Sequence, residues 1–380
     1  MPPPRIPFNR ASFEESEWTA MREAVAGGHI SGNGTFTRRC EARLEQQLGA
    51  ARVLLTTSGT HALEMAAFLL DLGPGDEVIL PSFTFVSTAN AFVLRGARPI
   101  FVDIRDDTLN LDETQLNEVI SARTRAIVPV HYGGVGCEMD AIQALARLRG
   151  LAIVEDNAHG LFGRYKERAL GSFGRFAALS FHETKNVTCG EGGALVVNDE
   201  SQVNRAEIIR EKGTNRAAFF RGDVEKYTWI DVGSSYVMSE LLAACLLAQL
   251  DRHDASQARR RAVCERYAAD LAGWARSNGI RLPFVPSTCS PAFHLFYLRF
   301  PNGDSRDRFL AFMWDRGVYC AFHYVPLHTA PMGQHFGGRQ GALPVTERAS
   351  RELVRLPLFA SLTEDELELI IEAVLAFDEF

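Results

Sequence analysis

LSFHETKNVTCGEGG, residues 179–193, places one lysine just past an apolar run and just before a glycine-rich turn. The run it follows, FAALSF (176–181), has the unbroken apolar character of a strand covered on both faces. Similar runs recur at RVLLTTS (52–58), EVILPS (77–82), PIFVDI (99–104), AIVPVH (126–131), LAIVED (151–156) and GALVVND (193–199). Between them lie helix-like segments such as THALEMAAFLLDLG (60–73) and DAIQALARLRG (140–150), the second closed by a glycine stop. Alternating strands and helices predict a mostly parallel, seven-stranded α/β sheet with helices on both faces. Sites in such sheets form beyond the carboxyl ends of the strands, which is where Lys185 falls.

After residue 235 the pattern changes. Residues 238–279 read as helical. The remainder mixes HLFYLRFP (294–301) with helical SRDRFLAFMWDRG (305–317) and TEDELELIIEAVLAF (363–377). The expected organisation is a large α/β domain over 1–245, then a connecting helix and a smaller α+β domain over 246–380.

With 46% apolar and 23% charged residues in 380, the chain has the composition of a globular protein. A formal net charge of -7 gives no global attraction to nucleic acid or to an anionic membrane, so an anionic ligand must be held by local donors. MPPPRIPFNR lacks the apolar core of a signal peptide, and no apolar run reaches the roughly 18 residues of a membrane span. Seven cysteines without a C-x-x-C pair argue against a disulfide framework or a zinc ribbon, and fit a reducing cytoplasm.

Four features lie just past predicted strands. In TTSGTHALEMA (56–66) a strand passes through Ser58-Gly59-Thr60 into a helix, whose free amides and dipole suit a phosphate. An ordinary helix cap has the same look. PSFTFVSTANAF (81–92) puts Phe83 and Phe85 after a strand, where either belongs to the core or stacks on a flat heteroaromatic ring. IVEDNAHG (153–160) ends an apolar strand on Glu155 and Asp156, whose side chains point to opposite faces and so do not share one site. A partly desolvated Lys185 has a lowered pKa and can form a Schiff base. Phosphate cup, stacking aromatic, carboxylate and lysine, each after a strand, together match pyridoxal 5'-phosphate.

The blocks FTRRCEARLEQQLGAARVLLTTSGT (36–60), PSFTFVSTANAFVLRGA (81–97), PVHYGGVGCEMD (129–140), SFHETKN (180–186), REKGTNRAAFFRGDVEKYTW (210–229) and FHYVPLH (322–328) resemble the DegT/DnrJ/EryC1/StrS nucleotide-sugar aminotransferases over nearly the full length. Within that family they are most similar to the subgroup that makes dTDP-4-amino-4,6-dideoxygalactose for enterobacterial common antigen. The resemblance implies fold type I of the pyridoxal phosphate enzymes. It makes Lys185 the Schiff-base lysine and Asp156 the partner of the pyridine nitrogen. His159, where relatives often carry glutamine, would reach the phenolic oxygen, and Phe85 would lie against the ring. Gly59, Thr60 and Ser180 would hold the phosphate, with the His61 amide nearby.

The family's homodimers place their active sites at the subunit interface. There a partner asparagine in a G-x-N-Y-R block meets the phosphate. Here the block is GSSYVM (233–238), with Ser235 at that position and Val237 in place of arginine, a departure the antigen subgroup shares. The implied substrates are L-glutamate and a dTDP-4-keto-6-deoxyhexose, used in turn. Lys212, Arg216, Arg221 and Lys226 lie along one segment as candidates for the sugar nucleotide's diphosphate, or simply as a solvated charged loop. His323 and His328 suggest a pocket edge rather than a metal site, because Pro326 breaks the helix an i, i+4 pair needs. Family members that act as dehydratases carry histidine at the lysine position, which Lys185 speaks against. A binding protein on the same fold has no need of the full lysine, aspartate and phosphate-donor set, and no G-x-G-x-x-G marks a dinucleotide site.

Overall fold

The computed structural model describes residues 5–378. Its strands in chain order are β1 (Arg52–Thr56), β2 (Glu77–Pro81), β3 (Arg98–Val102), β4 (Thr124–Ile127), β5 (Ala152–Asp156), β6 (Arg164–Tyr165), β7 (Arg168–Ala169), β8 (Phe176–Ser180), β9 (Gly193–Val197), β10 (Cys289–Ser290), β11 (Phe296–Arg299) and β12 (Leu353–Leu356). Seven of them form the main sheet in the order β1-β9-β8-β5-β4-β2-β3. All seven expected runs are in it. Only β9 runs against its neighbours β1 and β8, so the sheet is mixed and mostly parallel. Two small antiparallel sheets, β10-β6-β7 and β11-β12, complete the set.

The unbroken apolar runs are explained by cover on both faces. Leu54, Leu80, Val154, Phe176 and Leu195 pack on one side with helix Gly59–Leu69. Their chain neighbours Val53, Leu55, Ala177, Leu179 and Val196 pack on the other, against helices Thr35–Leu48 and Glu240–Asp251. Burial on both faces removes the period-two alternation that marks a half-exposed strand. Helix Met139–Arg149 ends at Gly150, whose φ of 65° is the left-handed cap that a glycine supplies without strain.

A second core gathers β11 and β12 with helices His253–Ser277, Gly303–Asp315 and Glu364–Leu375. It also takes in Ile6, which bridges Val318. We propose that the chain divides between these two cores near Arg252, where helix Glu240–Asp251 gives way to His253–Ser277. A boundary at 245 cuts through a helix whose Cys245, Leu246, Leu247 and Leu250 all lie in the first core.

The two carboxylates that close β5 diverge, as strand geometry requires. Glu155 is fully buried and accepts hydrogen bonds from the amides of Gly171 (2.8 Å), Phe173 (2.7 Å) and Gly174 (2.7 Å), with His131 Nε2 at 2.9 Å. It fixes the loop that leads into β8, and therefore the height at which that strand ends. Truncation strands three buried amides. Glu155→Ala is expected to cost about 3 kcal/mol and to lower the thermal unfolding midpoint by several degrees. An unchanged midpoint would show that the loop is held by other means.

Candidate active site

The carboxyl ends of β1, β2, β5 and β8 meet at one edge of the sheet. At the end of β8 the chain turns through residues 182–190, and the Lys185 amide donates to His182 O at 2.9 Å. The Lys185 side chain is half-buried. Burial lowers its pKa from 10.5 to about 8; the Asp156 charge opposes that shift, and Arg355 adds to it. Asp156, buried at the tip of β5, accepts from Thr88 Oγ1 at 2.7 Å and from the Ala158 amide at 3.2 Å. Because Thr88 donates to Asp156, the Thr84 hydroxyl 2.7 Å away donates to Thr88. Thr88, in the first turn of helix Ser87–Val93, thus holds one carboxylate oxygen and is itself held by Thr84.

The junction of β1 with helix Gly59–Leu69 lies beside the end of β8. Ser58 caps the helix, its Oγ accepting from the His61 amide at 3.1 Å. That amide is therefore already engaged, and the expectation that it serves an anion is corrected. The Ala62 amide bonds Ser58 O, and an α-helix offers its leading amides no intrahelical acceptor. The N–H groups of Gly59 and Thr60 are the ones that remain. A Cβ on Gly59 would stand 3.0 Å from Ser180 Cβ and 3.1 Å from Leu179 O, while one on Gly193 would meet the Gly59 nitrogen at 2.4 Å. Two bare glycines let the helix end press against β8 and β9. The Ser180 hydroxyl, facing this cup, has no hydrogen-bond partner among the described residues. Thr60 Oγ1 pairs with Ser87 Oγ at 2.7 Å.

Of the two candidate aromatics, Phe83 is 1% exposed and packs on Tyr132 and Tyr324, whereas Phe85 is 60% exposed. Phe83 is core; Phe85 is the ring left available. His159 stacks on His294 with ring centroids 4.2 Å apart, and the His323 ring, nearly parallel to it, is 6.2 Å away. Burial holds all three rings well below the usual imidazole pKa, and the charges of Lys185 and Arg355 push His159 and His323 further down. They are neutral. The Gly133 amide donates to His159 Nδ1 at 3.4 Å, so the ring proton is on Nε2. His294 Nδ1 donates to Asn186 Oδ1 at 2.9 Å, which ties the stack to the residue following Lys185.

Other expected residues fall differently. His328 is no part of the pocket edge; it is buried between Ser82 Oγ (2.7 Å from Nδ1) and Glu347 (3.0 Å from Nε2), a structural link. His323 does reach the edge, its Nδ1 3.1 Å from the Tyr132 hydroxyl. Among the described residues no histidine, cysteine and carboxylate cluster could hold a metal. Arg221 is paired with Glu207 (2.7 Å) and Asp223 (2.9 Å). Lys212 is exposed with Glu211 at 3.8 Å, Arg216 lies over the Phe220 ring, and Lys226 is exposed. None of these four contacts Lys185. Ser235 is exposed and bridges Glu211, while its neighbour Tyr236 packs on the His61 ring. Thr88, Tyr132, His294 and Arg355 were not anticipated. Thr88 had a signal, a hydroxyl four residues past Thr84 in the turn after β2; the others come from distant segments and carry none.

The model of the DegT/DnrJ/EryC1/StrS aminotransferase family matches residues 11–375. The chain belongs to this family. It is 34% identical to the Bacillus subtilis (strain 168) spore coat polysaccharide biosynthesis protein SpsC, over 97% of this chain and 96% of that one. It resembles the aminotransferase TlmJ from Streptoalloteichus hindustanus, with a TM-score of 0.88 and 33% identity over 98% of this chain and 97% of that one. The PLP-form of Spr1654 from Streptococcus pneumoniae superposes with a TM-score of 0.89 at 27% identity, covering 97% of each chain. The fold is that of the type I aminotransferases, the protein is a PLP-dependent sugar aminotransferase, and pyridoxal 5'-phosphate is its cofactor. Among the described residues no helix is long and apolar enough to cross a membrane.

The donor set fits that cofactor. A phosphate finds two leading helix amides and a partnerless serine hydroxyl, an aldehyde finds a lysine, and a ring nitrogen finds a carboxylate held by Thr88. A lysine of pKa about 8 is half neutral at pH 8, where an ordinary surface lysine is neutral to only about 0.3%. In cofactor-free protein, labelling by a limiting amine reagent should therefore favour Lys185 about a hundredfold at pH 8. Its midpoint, read by peptide mass spectrometry, should lie near 8 rather than near 10.5.

Proposed function

We propose that this enzyme moves an amino group from L-glutamate to C4 of dTDP-4-keto-6-deoxy-D-glucose, giving dTDP-4-amino-4,6-dideoxy-D-galactose. The single observation that carries amino transfer is the half-buried, carboxylate-neighboured Lys185 amine at the end of β8. The sugar assignment is supported by the sequence blocks quoted above, including the S-S-Y variant at Ser235. The polysaccharide-pathway description of SpsC is compatible with it.

Bound pyridoxal phosphate supplies an electron sink for a bond broken next to nitrogen. The protein's own groups do the rest. Asp156, fixed by Thr88, would keep a proton on the pyridine nitrogen. Gly59, Thr60 and Ser180 would hold the phosphate, Phe85 would lie against the ring, and the His159 Nε2–H would reach the phenolic oxygen. As a free amine, Lys185, whose pKa burial lowers to about 8, would be the group that takes a proton from the substrate carbon and gives it back. Glutamate leaves as 2-oxoglutarate before the keto sugar enters, and the same groups then work in reverse, which is a ping-pong cycle.

A homodimer with the active site at its interface is part of the reading. Trp229 (76% exposed), Ile230 and Val232, within six residues of Ser235, leave large apolar side chains uncovered. A second copy of the chain would bury them and bring its Ser235 to the phosphate. Lys212, Arg216 and Lys226 are the basic groups left for the diphosphate; Arg221 is neutralised by its own carboxylates.

Incubation with glutamate and dTDP-4-keto-6-deoxyglucose, followed by NMR of the product, should give an axial amine at C4. An equatorial amine, or amination at C3, would overturn the sugar assignment and leave the transaminase intact. Lys185→Ala should lose turnover by at least about a thousandfold while keeping its thermal midpoint; normal turnover in that variant would refute the role of the lysine.

A further inference from the structure

The loop of residues 291–295, which joins β10 to β11, is held from both cores. Arg260, on helix His253–Ser277 and 2% exposed, gives its guanidinium to this loop. Nε donates to Phe293 O at 2.9 Å and Nη2 to His294 O at 2.5 Å. Among the described residues no carboxylate pairs with Arg260, so a buried charge is committed to two carbonyls. Phe293 itself has a φ of 50°, a left-handed conformation that an aromatic residue disfavours and that persists only where the surroundings impose it. From the other core, the Ala292 amide donates to Gly134 O at 2.9 Å, and Asn186 Nδ2 donates to Ala292 O at 2.6 Å.

What these restraints fix is one imidazole. His294 is buried, and its ring stacks on His159 with 22° between the planes. The Asn186 amide nitrogen donates to Ala292 O and to Gln257 Oε1 (3.3 Å), which turns its Oδ1 toward the His294 ring. Nδ1 of His294 therefore carries the proton and donates it at 2.9 Å. Burial, the neighbouring His159 and the charges of Lys185 and Arg260 keep the ring neutral, so it offers one face and one N–H. Asn186 follows Lys185 directly, and His159 is the ring assigned to the phenolic oxygen. In pyridoxal phosphate the aldehyde and that oxygen stand on adjacent ring carbons, so the lysine and the imidazole must be set relative to each other.

We propose that His294 is a positioning residue for both groups: its ring face sets the plane of His159, and its Nδ1–H, through Asn186, sets the turn that carries Lys185. This rests on the reading of Lys185 as the Schiff-base lysine. An imidazole suits the double task, since a phenyl ring stacks without donating and a carboxamide donates without an aromatic face. Arg260 makes the loop, and with it the ring, follow helix His253–Ser277. The smaller core thereby governs the geometry at the reacting end of the cofactor.

Three variants separate the parts. His294→Phe keeps a ring and loses the donor, His294→Asn keeps a donor and loses the ring, and Asn186→Ala cuts the same tie from its other end. In cofactor-free protein the labelling midpoint of Lys185 should rise from near 8 by about one unit or more in His294→Phe and in Asn186→Ala, because the turn opens to water. Combining those two changes should add nothing further. His294→Asn should keep that midpoint but let the His159 tautomer, read by nitrogen-15 NMR of histidine-labelled protein, become mixed. Loaded with cofactor, all three should turn over at least about tenfold more slowly at temperatures well below their thermal midpoints. Asn186→Ala leaves both rings in place and decides the lysine arm even where a His294 variant does not fold. A Lys185 midpoint unchanged in both tie variants, additive effects of the pair, or a fixed His159 tautomer in His294→Asn would overturn the inference. Borohydride that fixes no cofactor on Lys185 of the unaltered enzyme would instead refute the Schiff-base reading.

Discussion

The structure depends on one electrostatic arrangement: a half-buried lysine amine just past the end of β8, influenced by a carboxylate at the end of β5. Dehydration lowers the amine's proton affinity and the carboxylate partly restores it, which leaves a group that titrates near 8. Neither effect is possible without the sheet. The parallel pairing of β5 with β8 aligns Asp156 with Ala178 and brings both strand ends to the same edge. Glu155, on the opposite face, ties down the loop that sets where β8 begins.

Around that pair the protein divides its labour by dielectric. Three buried imidazoles are stacked and neutral, so the pocket wall has hydrogen-bonding groups without charge. The junction proposed to hold the phosphate offers two backbone amides and the Ser180 hydroxyl, with two glycines allowing a helix end to touch two strands. The positive charges of Lys185, Arg260 and Arg355 act on the three imidazole rings. A site built this way favours ligands that bring anions, in a chain whose net charge is negative.

Much of this was legible from residue order. The seven runs and their continuous apolar character gave the sheet, because strands buried on both faces lose alternation. The divergence of Glu155 from Asp156 followed from strand geometry alone. β9 was placed, but its reversed direction was not, since apolar pattern carries no sign of direction. Helices Glu15–Ala26 and Thr35–Leu48 received no structural assignment from pattern; their amphipathic faces pack on Glu240–Asp251, far along the chain. The His61 amide was misjudged because Ser58 is both part of the cup and the helix cap. His328 looked equivalent to His323 by spacing, yet the turn at Pro326 sends one into the pocket wall and the other to Ser82 and Glu347. Arg355, about 170 residues from the lysine it influences, is reached only through the fold.

The proposed chemistry requires covalent attachment of the cofactor at Lys185. Borohydride reduction of the purified resting enzyme, followed by digestion and peptide mass spectrometry, tests it most directly. The reduced pyridoxyl group should be found on the peptide containing Lys185, at near one equivalent per chain. Its recovery on another lysine, or on none while the cofactor is bound, would contradict the assignment.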